Sequence, residues 1–246
     1  MIVNLTDNGY DLIFQPAHGL LAAKLAQAWH FDKSPQYFLE LLTATAQHDN
    51  NQRSFRGKHH LTEAGAPKGF TTSSGESEIG DLSQPKETLR DAFFQGRYPA
   101  LLVSMHFSEL YEPKRGEDKT LDAFLDEQQS NQRAWRKDLG LTKGEAEHDY
   151  KLLLWCDRCS LILCQEQVPT GDRKLEVQET PDGQDSYIYM ANDKLCVSPW
   201  VFEQEQFSVS AEVHKLEQLS FESDEQLLSA IEASNVRYKH WHFSKE

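Results

Sequence analysis

Two His-Asp dipeptides, His48-Asp49 in "LLTATAQHDNN" and His148-Asp149 in "EAEHDYK", are the first residues in the chain that could clamp a metal ion. The dipeptide alone is weak evidence: ten His and seventeen Asp in 246 residues give about 0.7 such pairs by chance. Helical phase separates the two. Ser34 as cap and Pro35 just inside start a helix whose stripe reads Phe38, Leu41/Leu42 and Thr45, and the next step lands on His48 and Asp49. The second pair shares a helix with Asp157, which stands where the stripe of Tyr150, Leu153/Leu154 and Leu161 calls for an apolar residue. At about 100° per residue, His148 differs from Asp157 by about 180° and Asp149 by about 80°. His148-Asp149 is therefore expected on the solvated rim, in the first two turns where acids suit the helix dipole.

The elements that would position these groups follow from periodicity. A short edge strand or docked tail covers 1–10, and a helix starts near Pro16, with His18 in its first turn. Residues 50–84, rich in Gly, Ser, Thr and Pro, read as a long loop, a feature that is often functional. A helix around Leu89–Phe94 breaks at "GRYP". The next helix carries Leu102, His106 and Leu110 at steps of four, so His106 shares the apolar face. Helix 118–138 follows, and Thr142 with Glu145 forms a capping box for a helix running to about Gln165. After Val168-Pro169 the texture changes to short strands separated by turns, with a helix at 223–234 and a last strand in "VRYKHWHF". The expected fold is mainly α: an all-helical domain over 1–167, then a small antiparallel α+β region over 168–246.

Composition limits the partners. A net charge of −14 disfavours bulk nucleic-acid and anionic-membrane binding, because both partners are also negative. No run of about 18 apolar residues exists to span a membrane, and the first residues lack a basic-then-apolar signal segment. A cytoplasmic location is expected, and a homo-oligomer stays open. The four Cys do not suggest a secreted disulfide framework. Cys156 and Cys159 form C-x-x-C on a helix without a second pair, so they are expected to pack in the core. His240 and His242 alternate around Trp241 and should face solvent. "GAPKG" has too few glycines for a phosphate loop, and neither a nucleophile elbow nor an HExxH helix is present.

His18, His48, Asp49 and Asp157 thus come from three helices expected to face one interior. A buried unpaired carboxylate costs several kcal/mol, which a divalent cation offsets. Imidazole with carboxylate suits Mn, Fe, Co, Ni or Zn, with Mg possible. The order His, His-Asp, Asp in "QPAHGLLAAKLA", "LLTATAQHDN" and "LLLWCDRCSLILC" resembles the HD-domain superfamily of metal-dependent phosphohydrolases. Within it, the chain looks like a bacterial family of unknown function that joins an HD-type helical domain to a small C-terminal β-containing region.

The resemblance implies an HD-type bundle with His18, His48, Asp49 and Asp157 as ligands of one or two divalent ions, Asp49 also serving catalysis. It further implies a metal-activated water attacking a small phosphorylated molecule or nucleotide. His106 is the fifth ligand candidate by helical face, and His59 or His60 could reach a second ion. Arg53, Lys58 and His60, just beyond the pair, are the nearest candidate phosphate contacts. Many catalytic members follow the pair with a small residue, Gly and often Lys, whereas this chain reads "HDNNQRSF". Two other functions therefore stand beside the phosphohydrolase: a non-catalytic HD-fold sensor or binding module, and a di-iron oxygenase.

Overall fold

The computed structural model describes residues 1–33, 35–51, 60–70 and 81–246. The chain opens with strands β1 (Ile2–Thr6) and β2 (Gly9–Ile13), then helices α1 (Gln15–Ala28) and α2 (Phe38–Gln47). After the segment 60–70 come α3 (Ser83–Gln95), α4 (Arg97–Tyr111), α5 (Lys119–Leu139) and α6 (Lys143–Cys164). The C-terminal part supplies β3 (Leu175–Glu176), β4 (Tyr187–Ala191), β5 (Lys194–Ser198), β6 (Gln206–Leu216), α7 (Asp224–Glu232) and β7 (Asn235–Ser244). All seven strands join one sheet in the order β1-β2-β6-β7-β5-β4-β3.

This sheet overturns the expectation of a mainly α, partly all-helical molecule with a small antiparallel region. The chain is 48% helix and 21% strand, and the sheet curls into a half-barrel. It is mixed, because β5 runs parallel to β7 while the other neighbours are antiparallel. The reason is non-local pairing. β2 pairs with β6 through Tyr10↔Leu216 and Leu12↔His214, a partnership that no short window of sequence can show. All five residues of β2 are buried, so the alternation that marks a half-exposed strand is missing.

Local chemistry sets the helix ends. Pro16 lies at the start of α1, where a missing N–H costs nothing. α2 begins at Phe38 with Tyr37 as its cap, later than the Ser34-Pro35 signal suggests; Ser34 itself lies outside the described residues. Gly96, at φ 143°, separates α3 from α4 in a conformation closed to residues with a Cβ. Asp118 caps α5 by accepting from the Thr120 and Leu121 N–H groups, and Thr142 and Glu145 close a reciprocal capping box on α6.

The main core runs without interruption from helices to sheet: Leu21, Leu25, Leu41, Leu102 and Trp155 pack in one cluster with Val197, Val209 and Phe243. The indole N–H of Trp155 donates to Ser186 Oγ at 2.6 Å, so the largest buried side chain is satisfied. A second cluster of Leu12, Leu216, Phe221, Leu227 and Ile231 lies beneath α7. Segment 60–70 docks at that end, the Phe221 N–H donating to the Gly65 carbonyl at 2.8 Å. Among the described residues, no helix is long and apolar enough to cross a membrane.

Candidate metal centre

α1, α2, α4 and α6 each deliver a polar side chain into one buried spot. Three imidazoles, His18, His48 and His106, are buried between these helices, and two carboxylates, Asp49 and Asp157, sit against them. The close crossing of α1 and α2 explains how His18 reaches the pair. A Cβ on Gly19 would lie 2.3 Å from the Ala46 carbonyl oxygen, so only glycine permits this approach. α2 ends at Gln47, and His48 still holds helical backbone angles as its C-cap, which keeps its side chain on the inward stripe.

Hydrogen bonds fix the imidazole tautomers. Ser160 donates its hydroxyl proton to the Asp157 carbonyl at 2.8 Å, so Ser160 Oγ can only accept from His18 Nδ1, 2.8 Å away. His48 Nδ1 faces the Thr45 carbonyl at 2.7 Å, which is also acceptor-only. Both rings therefore carry their proton on Nδ1 when neutral, and both turn a bare Nε2 inward.

Those nitrogens meet carboxylate oxygens. His48 Nε2 is 3.1 Å from Asp157 Oδ1, and His18 Nε2 is 3.6 Å from the same atom and 3.4 Å from Asp49 Oδ2. His48 Nε2 and His106 Nε2 lie 4.0 Å from Asp49 Oδ2 and Oδ1, respectively. The His48 ring is edge-on to both neighbours, with centroids 5.1 Å from His18 and 4.8 Å from His106. Four buried atoms, His18 Nε2, His48 Nε2, His106 Nδ1 and Asp157 Oδ1, have no hydrogen-bond partner. A lone pair facing a carboxylate oxygen at 3.1 Å is repulsive unless a cation lies between or beside them.

In the metal-free protein a proton is that cation. Burial opposes a charge on His48, but Asp157 and Asp49 outweigh it and raise the imidazole pKa to about 9. Burial together with the neighbouring His48 pushes His106 down to about 4. Asp49 and Asp157, despite their burial, are held below the usual carboxylate range by the surrounding imidazoles.

The donor set fits a divalent ion equally well. Bonds of about 2.1 Å place ligand atoms roughly 3.0 to 4.2 Å apart, and the nitrogen–oxygen separations here run from 3.1 to 4.0 Å. Two triads each bring one ligand atom per residue within 4.8 Å of one another, His18-His48-Asp49 and His48-His106-Asp157. Gln15, at the start of α1, donates to Asp49 Oδ2 at 3.4 Å and leaves a buried Oε1 without a partner beside the carboxylate.

The other candidates fall elsewhere. Arg53, Lys58 and His59 lie outside the described residues. The His60 N–H donates to Asp224 Oδ1 at the first turn of α7, at 2.9 Å, and His60 belongs to neither triad. His148 is about half exposed and faces Asp149 and Asp182 at 3.5 and 3.8 Å, on the rim. Asp149 accepts a 2.6 Å hydrogen bond from the Tyr98 hydroxyl, a packing role. Sequence reasoning missed Ser160, the Thr45 carbonyl, Gln15 and Gly19. Ser160 had a signal: three residues beyond Asp157, it is placed to bond back along the helix while facing the same interior.

No curated protein and no solved structure matches the chain. The model of the family described as "Protein of unknown function (DUF3891)" matches residues 1–218, and the chain belongs to that family.

Proposed function

We propose that this protein is a metal-dependent phosphohydrolase of the HD type, acting on a phosphate ester or nucleotide. The observation that carries the proposal is the set of buried, unpartnered donor atoms: two imidazole nitrogens bared by fixed tautomers and a carboxylate oxygen aimed at them. The order His, His-Asp, Asp along α1, α2 and α6 supports the HD reading. So does Asn51, which stands where many catalytic members carry Gly and adopts φ 60°, the left-handed conformation that Gly supplies and Asn tolerates.

His18, His48, Asp49 and Asp157 would hold the ion, leaving two positions of a six-coordinate ion open, and His106 stands beside them as an alternative donor. The two triads share His48, whose Nδ1 is committed to Thr45, and one free nitrogen binds one ion, so we favour a single Mn, Fe, Co, Ni or Zn, or Mg. Such an ion lowers the pKa of bound water toward neutrality and polarises a phosphoryl oxygen. The chain's own groups do the rest. Gln15 steadies Asp49 and offers its free Oε1 to one proton of the attacking water, and Asp49 would take the other as the water attacks. Ser160 and Thr45 keep His18 and His48 facing inward through turnover.

Purified protein should contain about one transition ion per chain, lost in the double variant His48→Ala/Asp49→Ala, and a panel of phosphomonoesters, phosphodiesters and nucleotides should reveal metal-dependent turnover. A well-folded protein that takes up no metal from any of these salts would sink the proposal. Metal without turnover on the whole panel would favour the sensor module, and oxygen consumption by the iron form would favour the oxygenase.

A further inference from the structure

Tyr150 is a buried polar group that the metal donors do not use. It precedes Asp157 by seven residues on α6, which brings it back within about 20° of the same helix face, two turns nearer the N-terminus. Its residue is 7% exposed, and its hydroxyl oxygen is buried with no hydrogen-bond partner. The ring stands edge-on to His106, with centroids 6.4 Å apart. His18, His48, His106 and Tyr150 thus form a row of four rings, with neighbouring centroids 5.1, 4.8 and 6.4 Å apart. The first three carry candidate metal donors, and the fourth stands one ring beyond them.

A buried hydroxyl left unpaired destabilises the fold, and a native chain keeps such a group when something else completes it. A tyrosine hydroxyl titrates only at about pH 10, so at neutral pH it presents a neutral O–H. An acceptor on a bound ligand would complete it. A phosphoryl group bound beside the carboxylates carries outer oxygens that point away from the metal donors, and these are strong acceptors for a neutral O–H.

We propose that Tyr150 is a substrate-contacting residue whose hydroxyl donates a hydrogen bond to a non-bridging phosphoryl oxygen of the ligand. This rests on the phosphohydrolase reading of the same centre, and it assigns a second contact to the phosphate besides the metal donors. The phenol neither gives up nor takes a proton; it holds the oxygen in place.

The test compares wild type with Tyr150→Phe, both loaded with Mn2+, by measuring metal content, inorganic phosphate binding by calorimetry, and the thermal midpoint without phosphate. The expected result is unchanged metal content, phosphate affinity weakened roughly tenfold, and a midpoint equal to or above wild type, because the variant removes an unsatisfied group. A lower midpoint with unchanged phosphate affinity would show that the hydroxyl has a structural partner, and would overturn the proposal. Wild type that takes up Mn2+ and binds no phosphate would overturn the proposal while leaving the metal centre intact. Failure of wild type to take up any metal would overturn the proposal and the phosphohydrolase reading together.

Discussion

Replacing Gly19 by Ala would test the close helix crossing behind the candidate metal centre. The added methyl would sit 2.3 Å from the Ala46 carbonyl oxygen and 3.1 Å from its carbon. Ordinary contact needs about 3.4 Å or more, so α1 and α2 must separate by about 1 Å. No rotamer can relieve the clash, since both the methyl and the carbonyl are fixed to backbone. Overpacking commonly costs about 1–3 kcal/mol, and this rigid case belongs at the upper end. The damage would be chemical too: Gly19 adjoins His18, and Ala46 is two residues before His48. Metal sites tolerate ligand displacements of roughly 0.2 Å, so a 1 Å shift would take His18 out of reach of an ion held by the other donors. Gly144→Ala is the matched control, because it also adds a methyl to a helix and meets nothing within 4 Å; it should leave stability equal or raise it by up to about 1 kcal/mol. The assay is thermal or urea unfolding combined with metal content. Gly19→Ala with wild-type stability and a full metal complement would refute the argument that this crossing sets the site.

Three further outcomes are expected. Ser160→Ala should leave the fold in place while weakening metal affinity by about 10- to 100-fold, because His18 loses the partner that fixes its tautomer; titration with a chromophoric chelator would show it, and wild-type affinity would count against the role given to Ser160. Tyr98→Phe removes a buried hydroxyl that donates to the partly exposed Asp149 and should cost about 1–2 kcal/mol in urea unfolding with no loss of metal. His30 should titrate above its ordinary value, raised chiefly by its hydrogen bond to Glu203 with Asp32 adding to it. Since the folded pKa is the higher one, the stabilisation is fully present below the unfolded pKa of about 6.5 and is lost as pH rises through the folded value. Proton NMR of His30 in Glu203→Gln should show the pKa falling, and an unchanged titration would contradict the assignment.

The candidate donors were legible because a helix records its facing direction every three or four residues. Asp157 interrupts an apolar stripe, and nine residues of helical phase suffice to turn His148 away from it. The tautomer locks were harder to see, since Thr45 acts through a backbone carbonyl that any residue would possess. Gly19 was invisible for a similar reason: its meaning is the distance to Ala46, which belongs to another helix. The sheet was misjudged where pairing spans the chain. "VNLT" and "YDLIF" are short, and β2, buried throughout, reads no differently from a stretch of core helix. Phe14 directly follows β2 and caps α1, so the boundary between strand and helix carries no turn signal at all.

The pairing of β2 with β6 also orders events in time. Strand β2 runs straight into α1, and the sheet partner that anchors it reaches from Leu12 to His214 and from Tyr10 to Leu216. Contacts of such long range form slowly, because loop closure must precede any gain from pairing. On the ribosome, the segment bearing His18 waits for nearly the whole chain before its anchor exists. The candidate metal site is thus completed late in synthesis: a nascent chain that already displays α1, α2, α4 and α6 would still lack β6, the second partner of the strand that leads into α1.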